Sequence, residues 1–143
     1  MRFNPAIDVV DGGLWRVRIQ AGEITRNREM FSITDGEYAL AQELVYGLLA
    51  NVSNADQLPD VKRIRQTGGA WRRFRLDDLR IVYEPKHERE QFTHRRVPVI
   101  IWHMLLRKTW SDPDPDWIYD YVQERQQFLY PVKERDRKAR LKG

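Results

Sequence analysis

The sequence predicts an α+β fold, and three stretches predict it. Residues 71–84, WRRFRLDDLRIVYE, read as a β-hairpin. Residues 35–50 carry the clearest amphipathic helix. Residues 97–106, VPVIIWHMLL, form a continuous apolar run that suits a central strand covered on both faces. Strands gathered around one hairpin, with helices before and after them, are the α+β pattern. A chain of 143 residues has the length of one domain with a usable core. Its five Trp, six Tyr and five Phe argue against disorder, because rings bury area and favour ordering.

Taken in order, residues 1–13 contain Pro5 and Gly12-Gly13 and read as an N-terminal extension. Leu14, Arg16 and Arg18 alternate with Trp15, Val17 and Ile19, as in a half-buried strand. Residues 20–34 are polar and lack a firm period, so they read as a loop with a short extra strand at residues 30–33. Thr34 or Asp35 caps the next helix, with Glu37 supporting its first turn. Tyr38, Ala41, Leu44, Val45, Leu48 and Leu49 then recur at spacings of three and four. That helix ends where Asn51, Ser53 and Asn54 accumulate. Residues 61–66 are either a helical turn or an extended basic lead-in, and Thr67-Gly68-Gly69 is a turn.

In the hairpin, Trp71, Arg73 and Arg75 alternate with Arg72, Phe74 and Leu76, so the two sets point to opposite faces. Asp77-Asp78 is the turn, since Asp bonds its own backbone and tolerates bends. Residues 85–96 read as a polar loop. Pro98 fits only near the start of the apolar strand. Residues 111–116, SDPDPD, stop that strand and start a helix, in which Trp117, Ile118, Tyr121, Val122, Arg125 and Phe128 keep helical spacing. Pro131 limits the helix. One domain over residues 1–132, followed by a mobile basic tail over 133–143, is the expected organisation.

Several function classes fall away. There is no cysteine, which excludes disulfides, thiolate metal sites and a Cys nucleophile and suits a reducing cytoplasm. No apolar run approaches the ~18 residues of a membrane span, and the N-terminus lacks a signal-peptide core. His87 and His94 share a polar loop without framing carboxylates, so no metal and no cofactor are expected. No elbow serine or phosphate-binding glycine loop is present.

What remains is charge. The net charge is +4, but the basic residues cluster: Lys62, Arg63, Arg65, Arg72, Arg73, Arg75 and Arg80 in one stretch, and six more over residues 133–142. Clustered cations point to an anionic partner, nucleic acid first. Arg73 and Arg75 share a face with Trp71, and Arg80 joins them if the register allows. Guanidinium forks grip phosphates bidentately, and an exposed Trp71 beside them would stack a base. Lys62, Arg65 and Lys108 extend the phosphate-binding set. His103 lies in the apolar strand, where a satisfied core histidine is the default, yet Arg107 and Lys108 follow it closely. In the competing structural reading the arginines only pair with Asp77, Asp78 or Glu84.

The order of helix, Gly-rich turn, WRRFRLDDLRIVYE, a strand ending WHMLLRKT, and a closing helix resembles the RelE/ParE toxin superfamily, most closely its HigB-like branch. The matching features are Arg73, Arg75, Arg80 and Tyr83, then the pair Arg107 and Lys108, over about residues 35–128. The resemblance implies a small twisted antiparallel sheet with helices packed on one face. In that family the first strand runs quickly into a helical hairpin, whereas residues 20–34 here read as loop. The resemblance further implies a metal-independent mRNA endoribonuclease that works on the ribosome and is held by a cognate antitoxin. The 2′-hydroxyl attacks the adjacent phosphate in such enzymes. Carried over, Arg73 and Arg75 hold phosphates, Arg80 stabilises the transition state, Arg107 or Lys108 adds a cation, and His103 or a Tyr assists proton transfer. The alternative is a non-catalytic relative that binds RNA or protein through the same basic sheet.

Overall fold

A computed structural model describes residues 7–9, 14–108 and 117–129. The expected stop at residues 111–116, the limit at Pro131 and the tail lie outside the described residues. The fold is α+β. Strands β1 (Ile7–Val9), β2 (Arg16–Ile19), β3 (Val61–Arg63), β4 (Arg72–Leu76), β5 (Leu79–Arg89) and β6 (Arg96–Arg107) form one six-stranded sheet in the order β1-β2-β6-β5-β4-β3. Every pairing is antiparallel except β2 with β6, which run parallel with Arg16 opposite Val99 and Ile19 opposite Trp102. The expected all-antiparallel sheet is corrected at this one junction. The long apolar run is the central strand, and Ile101, Trp102, Met104, Leu105 and Leu106 are fully buried.

Residues 20–34 are not a loop. They hold α1 (Ala21–Met30), which starts straight after β2, and no strand forms at 30–33. Helix α1 escaped the periodicity test because part of its buried face is polar: Glu23 and Asn27 are inside together with Ile24. Helix α2 (Asp35–Gly47) follows, capped as its sequence requires. Thr34 accepts from the Glu37 backbone at 3.1 Å, and Glu37 accepts from the Thr34 backbone at 3.0 Å. Helix α3 (Trp117–Leu129) closes the described chain.

The helices do not share one face of the sheet. Tyr38 and Tyr46 of α2 flank Trp102, whose cross-strand partner is Tyr83 and, beyond it, Arg72. Tyr119 of α3 reaches Arg73, the next residue along β4, which points the opposite way. The sheet is therefore clasped from both sides, which is what its two-sided apolar central strand demands.

Two details correct the expected loops. Half of residues 85–96 is ladder, since β5 runs to Arg89 and β6 begins at Arg96, and only 90–95 remain a loop. Pro85 lies past the end of β4 and Pro98 lies before the parallel contact with β2, so each falls where an outer ladder has stopped. The register also skips between Val82 and Tyr83, which face Met104 and Trp102 and leave His103 as an extra residue.

Candidate phosphate-binding face

The hairpin register decides which cations meet. Residues directly opposite in adjacent strands share a face. Arg75 is opposite Arg80, and Lys62 is opposite Arg73. Because Arg73 and Arg75 are two apart, Lys62, Arg73, Arg75 and Arg80 all lie on the α3 side. Arg72 lies on the other side with Phe74, as the alternation expects, where it and Arg63 bind Asp56.

The four cations differ in exposure and in partners. Lys62 is exposed. Arg75 is half in water and touches Asp60 at 3.5 Å, an exposed pairing worth little. Arg73 is half-buried; its Nε donates to the Tyr119 hydroxyl oxygen at 3.0 Å and its Nη1 to the Asp60 carbonyl at 3.4 Å. Arg80 is only 4% exposed. Its Nη1 donates to the carbonyls of Asp77 and Leu79, both at 2.8 Å, which ties it back to the hairpin turn. Its Nε has no partner among the described residues. Burial pulls the Arg80 pKa below its usual value, and the charges of Arg73 and Arg75 push the same way against the influence of Tyr119.

Neither Arg73 nor Arg80 forms an ion pair with a carboxylate among the described residues. The neighbouring arginines do: Arg63 and Arg72 with Asp56, Arg107 with Glu37, and Arg125 with Glu23. A guanidinium kept from water, crowded by like charges and lacking an acid favours any anion that can reach it. The face can therefore bind a phosphate chain and stabilise charge that grows on it.

Other expected site residues lie elsewhere. Trp71 is 1% exposed rather than offered to a base; its ring stacks on His103 at 3.8 Å and 11°. His103 is fully buried and 3.7 Å from Glu84, so it is a core histidine and not a surface acid or base. Burial holds its pKa below the ordinary value, against the pull of Glu84. Arg107 is opposite Leu79, the neighbour of Arg80, and so points to the α2 face, where it meets Glu37 at 2.7 Å. Arg65 is exposed in a 3₁₀ turn, off the strands. Lys108 is exposed, and its backbone N–H donates to the Asp78 carbonyl beside the hairpin turn.

Sequence reasoning missed Tyr119 and Asp60. Helical spacing puts Tyr119 off the apolar stripe of α3, but nothing local says that its hydroxyl meets Arg73, 46 residues earlier. Among the described residues no group of three or more His, Asp or Glu side chains is placed to hold a metal ion. No described helix is long and apolar enough to cross a membrane. No protein-family model, curated protein or solved structure matches the chain.

Proposed function

We propose that this protein is a RelE/HigB-like endoribonuclease that binds RNA on the Lys62, Arg73, Arg75, Arg80 face and acts as the toxin of a toxin–antitoxin pair on ribosome-bound mRNA. The observation that carries the reading is the Arg75–Arg80 cross-strand pair with Arg73 beside it, where the two more buried guanidiniums have no acid partner among the described residues. The element order supports it as well, because α1 and α2 form a helical pair directly after the short strand β2, as the sequence resemblance calls for.

In the proposed reaction the RNA 2′-hydroxyl attacks the adjacent phosphorus. The P–O5′ bond breaks, leaving a cyclic 2′,3′-phosphate and a free 5′-hydroxyl. Arg75 and Lys62 hold flanking phosphates in the open. Arg73 and Arg80 neutralise the charge that develops on the non-bridging oxygens, in a setting where burial strengthens the interaction. Tyr119, hydrogen-bonded to Arg73, takes the proton-transfer part that the resemblance implies for His103 or a Tyr.

The test is to add purified protein to ribosomes programmed with a defined mRNA and map the 5′ ends. Cleavage that persists in chelator and disappears with Arg80→Ala is the expected result. The burial of His103 and Trp71 and the pairing of Arg107 favour a second reading, in which the face binds RNA without cutting it. Intact mRNA, with binding that weakens steeply as salt rises, selects that reading.

A further inference from the structure

The β5–β6 arm is a second place where cations and an aromatic ring stand together, and the proposed chemistry does not use it. Beyond the last β4 and β2 pairings the two strands continue as a two-stranded ladder that ends with Arg89 directly opposite Arg96. Like charges placed opposite each other repel. Both arginines are exposed, and neither has an acid partner among the described residues.

The acids of the arm are already engaged. Glu90 holds Arg16 at 2.5 Å and Arg95 at 3.8 Å, while Glu88 holds Arg18 at 2.7 Å. The pairs to Arg16 and Arg18 also fasten the arm to β2. The loop at the tip is ordered by its own bonds. The Glu90 N–H donates to the Arg95 carbonyl, His94 N–H to the Glu90 carbonyl, and the Thr93 hydroxyl to the Glu90 carboxylate. At this fixed tip Phe92 stands 88% exposed. It borders a recess of about 390 Å³ that also includes Arg16, Arg89, Val97 and Val99.

We propose that this arm is an RNA-binding finger, in which an unpaired base stacks on Phe92 over the recess and Arg89 and Arg96 hold the phosphates beside it. The inference rests on the reading of the protein as an RNA binder and gives it a second contact. Nucleic acid fits better than a protein partner because the tip combines a bare π-face with forked cations whose nearby acids are neutralised, the pairing used on single strands. Arg80 and Arg89 lie on one strand, so the two contacts are about 30 Å apart, and their odd spacing turns them to opposite faces, so an RNA that touches both must pass around the edge of the arm. A trinucleotide cannot reach both, whereas a strand of about 20 nucleotides can.

That length difference is the test. Affinities of the wild type, Phe92→Ala and the double variant Arg89→Glu/Arg96→Glu are measured for a trinucleotide and for an unstructured RNA of about 20 nucleotides. The expected result is a loss of roughly 10-fold or more for the long RNA with each variant, and no change for the trinucleotide. Unchanged long-RNA affinity in both variants overturns the finger while leaving the first face standing. Equal losses for both RNAs also overturn it, because the arm is then not a separate contact. If the wild type binds neither RNA, the RNA reading itself fails.

Discussion

Glu23 and Arg80 are buried on very different terms. Glu23, 7% exposed on α1, receives both arms of the Arg125 fork from α3, at 2.7 and 2.5 Å. Asn27, one turn on, receives the Tyr121 hydroxyl at 3.3 Å and donates to the Glu23 carbonyl. Arg80 is buried more deeply, at 4%, yet among the described residues it meets carbonyl oxygens and the Tyr119 side chain but no carboxylate, with two cations nearby. The α1–α3 seam is a closed polar contact whose groups satisfy one another. The hairpin face is an open one. A buried charge reads as structural where an opposite charge completes it, and as a binding feature where the fold tolerates it incomplete.

The comparison can be broken at either region. Glu23→Ala strands the Arg125 guanidinium and should cost about 3–5 kcal/mol in urea unfolding; a loss below about 1 kcal/mol would mean that the seam is not structural. Arg80→Met keeps the apolar stem and removes the charge. Stability should hold or rise, while RNA cleavage falls by about 10²-fold or more. A large loss of stability with cleavage intact would make Arg80 a structural residue instead.

The Glu84–His103 pair sharpens the contrast through pH. Burial disfavours the protonated form of His103 in the folded protein, whereas the unfolded chain takes up a proton below the ordinary imidazole value of 6.5. The unfolded state then binds more protons, so stability should decline as pH falls through that point, by at most about 1.4 kcal/mol per unit for one proton. Burial alone would raise Glu84, but His103 and Lys86 outweigh it and hold its carboxyl low. Glu84 therefore adds stability that is lost only at still lower pH, as its folded value is crossed. His103→Phe should flatten the upper part of the decline; an unchanged slope would show that another group sets it. The smallest effect belongs to Arg75, which is half exposed. Arg75→Ala should shift stability by less than about 0.5 kcal/mol and reduce the salt dependence of RNA binding by about 0.7 in log–log slope.

The hairpin was the most legible part of the chain. Period-two alternation placed Arg73 and Arg75 together and Arg72 opposite them, and Asp77-Asp78 marked the turn, where Asp77 takes a φ of +48°. The α2 cap could be read directly from Thr34 and Glu37. What escaped depended on distant partners. Helix α1 buries Glu23 and Asn27 because α3 supplies Arg125 and Tyr121, about a hundred residues later, so its buried polar side looked like solvated loop. Trp71 looked available until His103 covered its ring. Arg107 could be assigned a face only once Leu79 was known to lie opposite it.

The parallel contact of β2 with β6 sets a timetable. β2 is made early and the strand on its inner side is the last of the sheet to emerge, so with only β1 for a ladder it must wait while everything between is synthesised. The β3–β4–β5 meander joins neighbours in the chain and is free to form meanwhile. Closing so long a loop is entropically slow, which places the domain among the unhurried folders. A nascent chain halted before β6 would carry the arginine hairpin on an unfinished sheet. The cationic face would then precede the core that gives it a fixed shape.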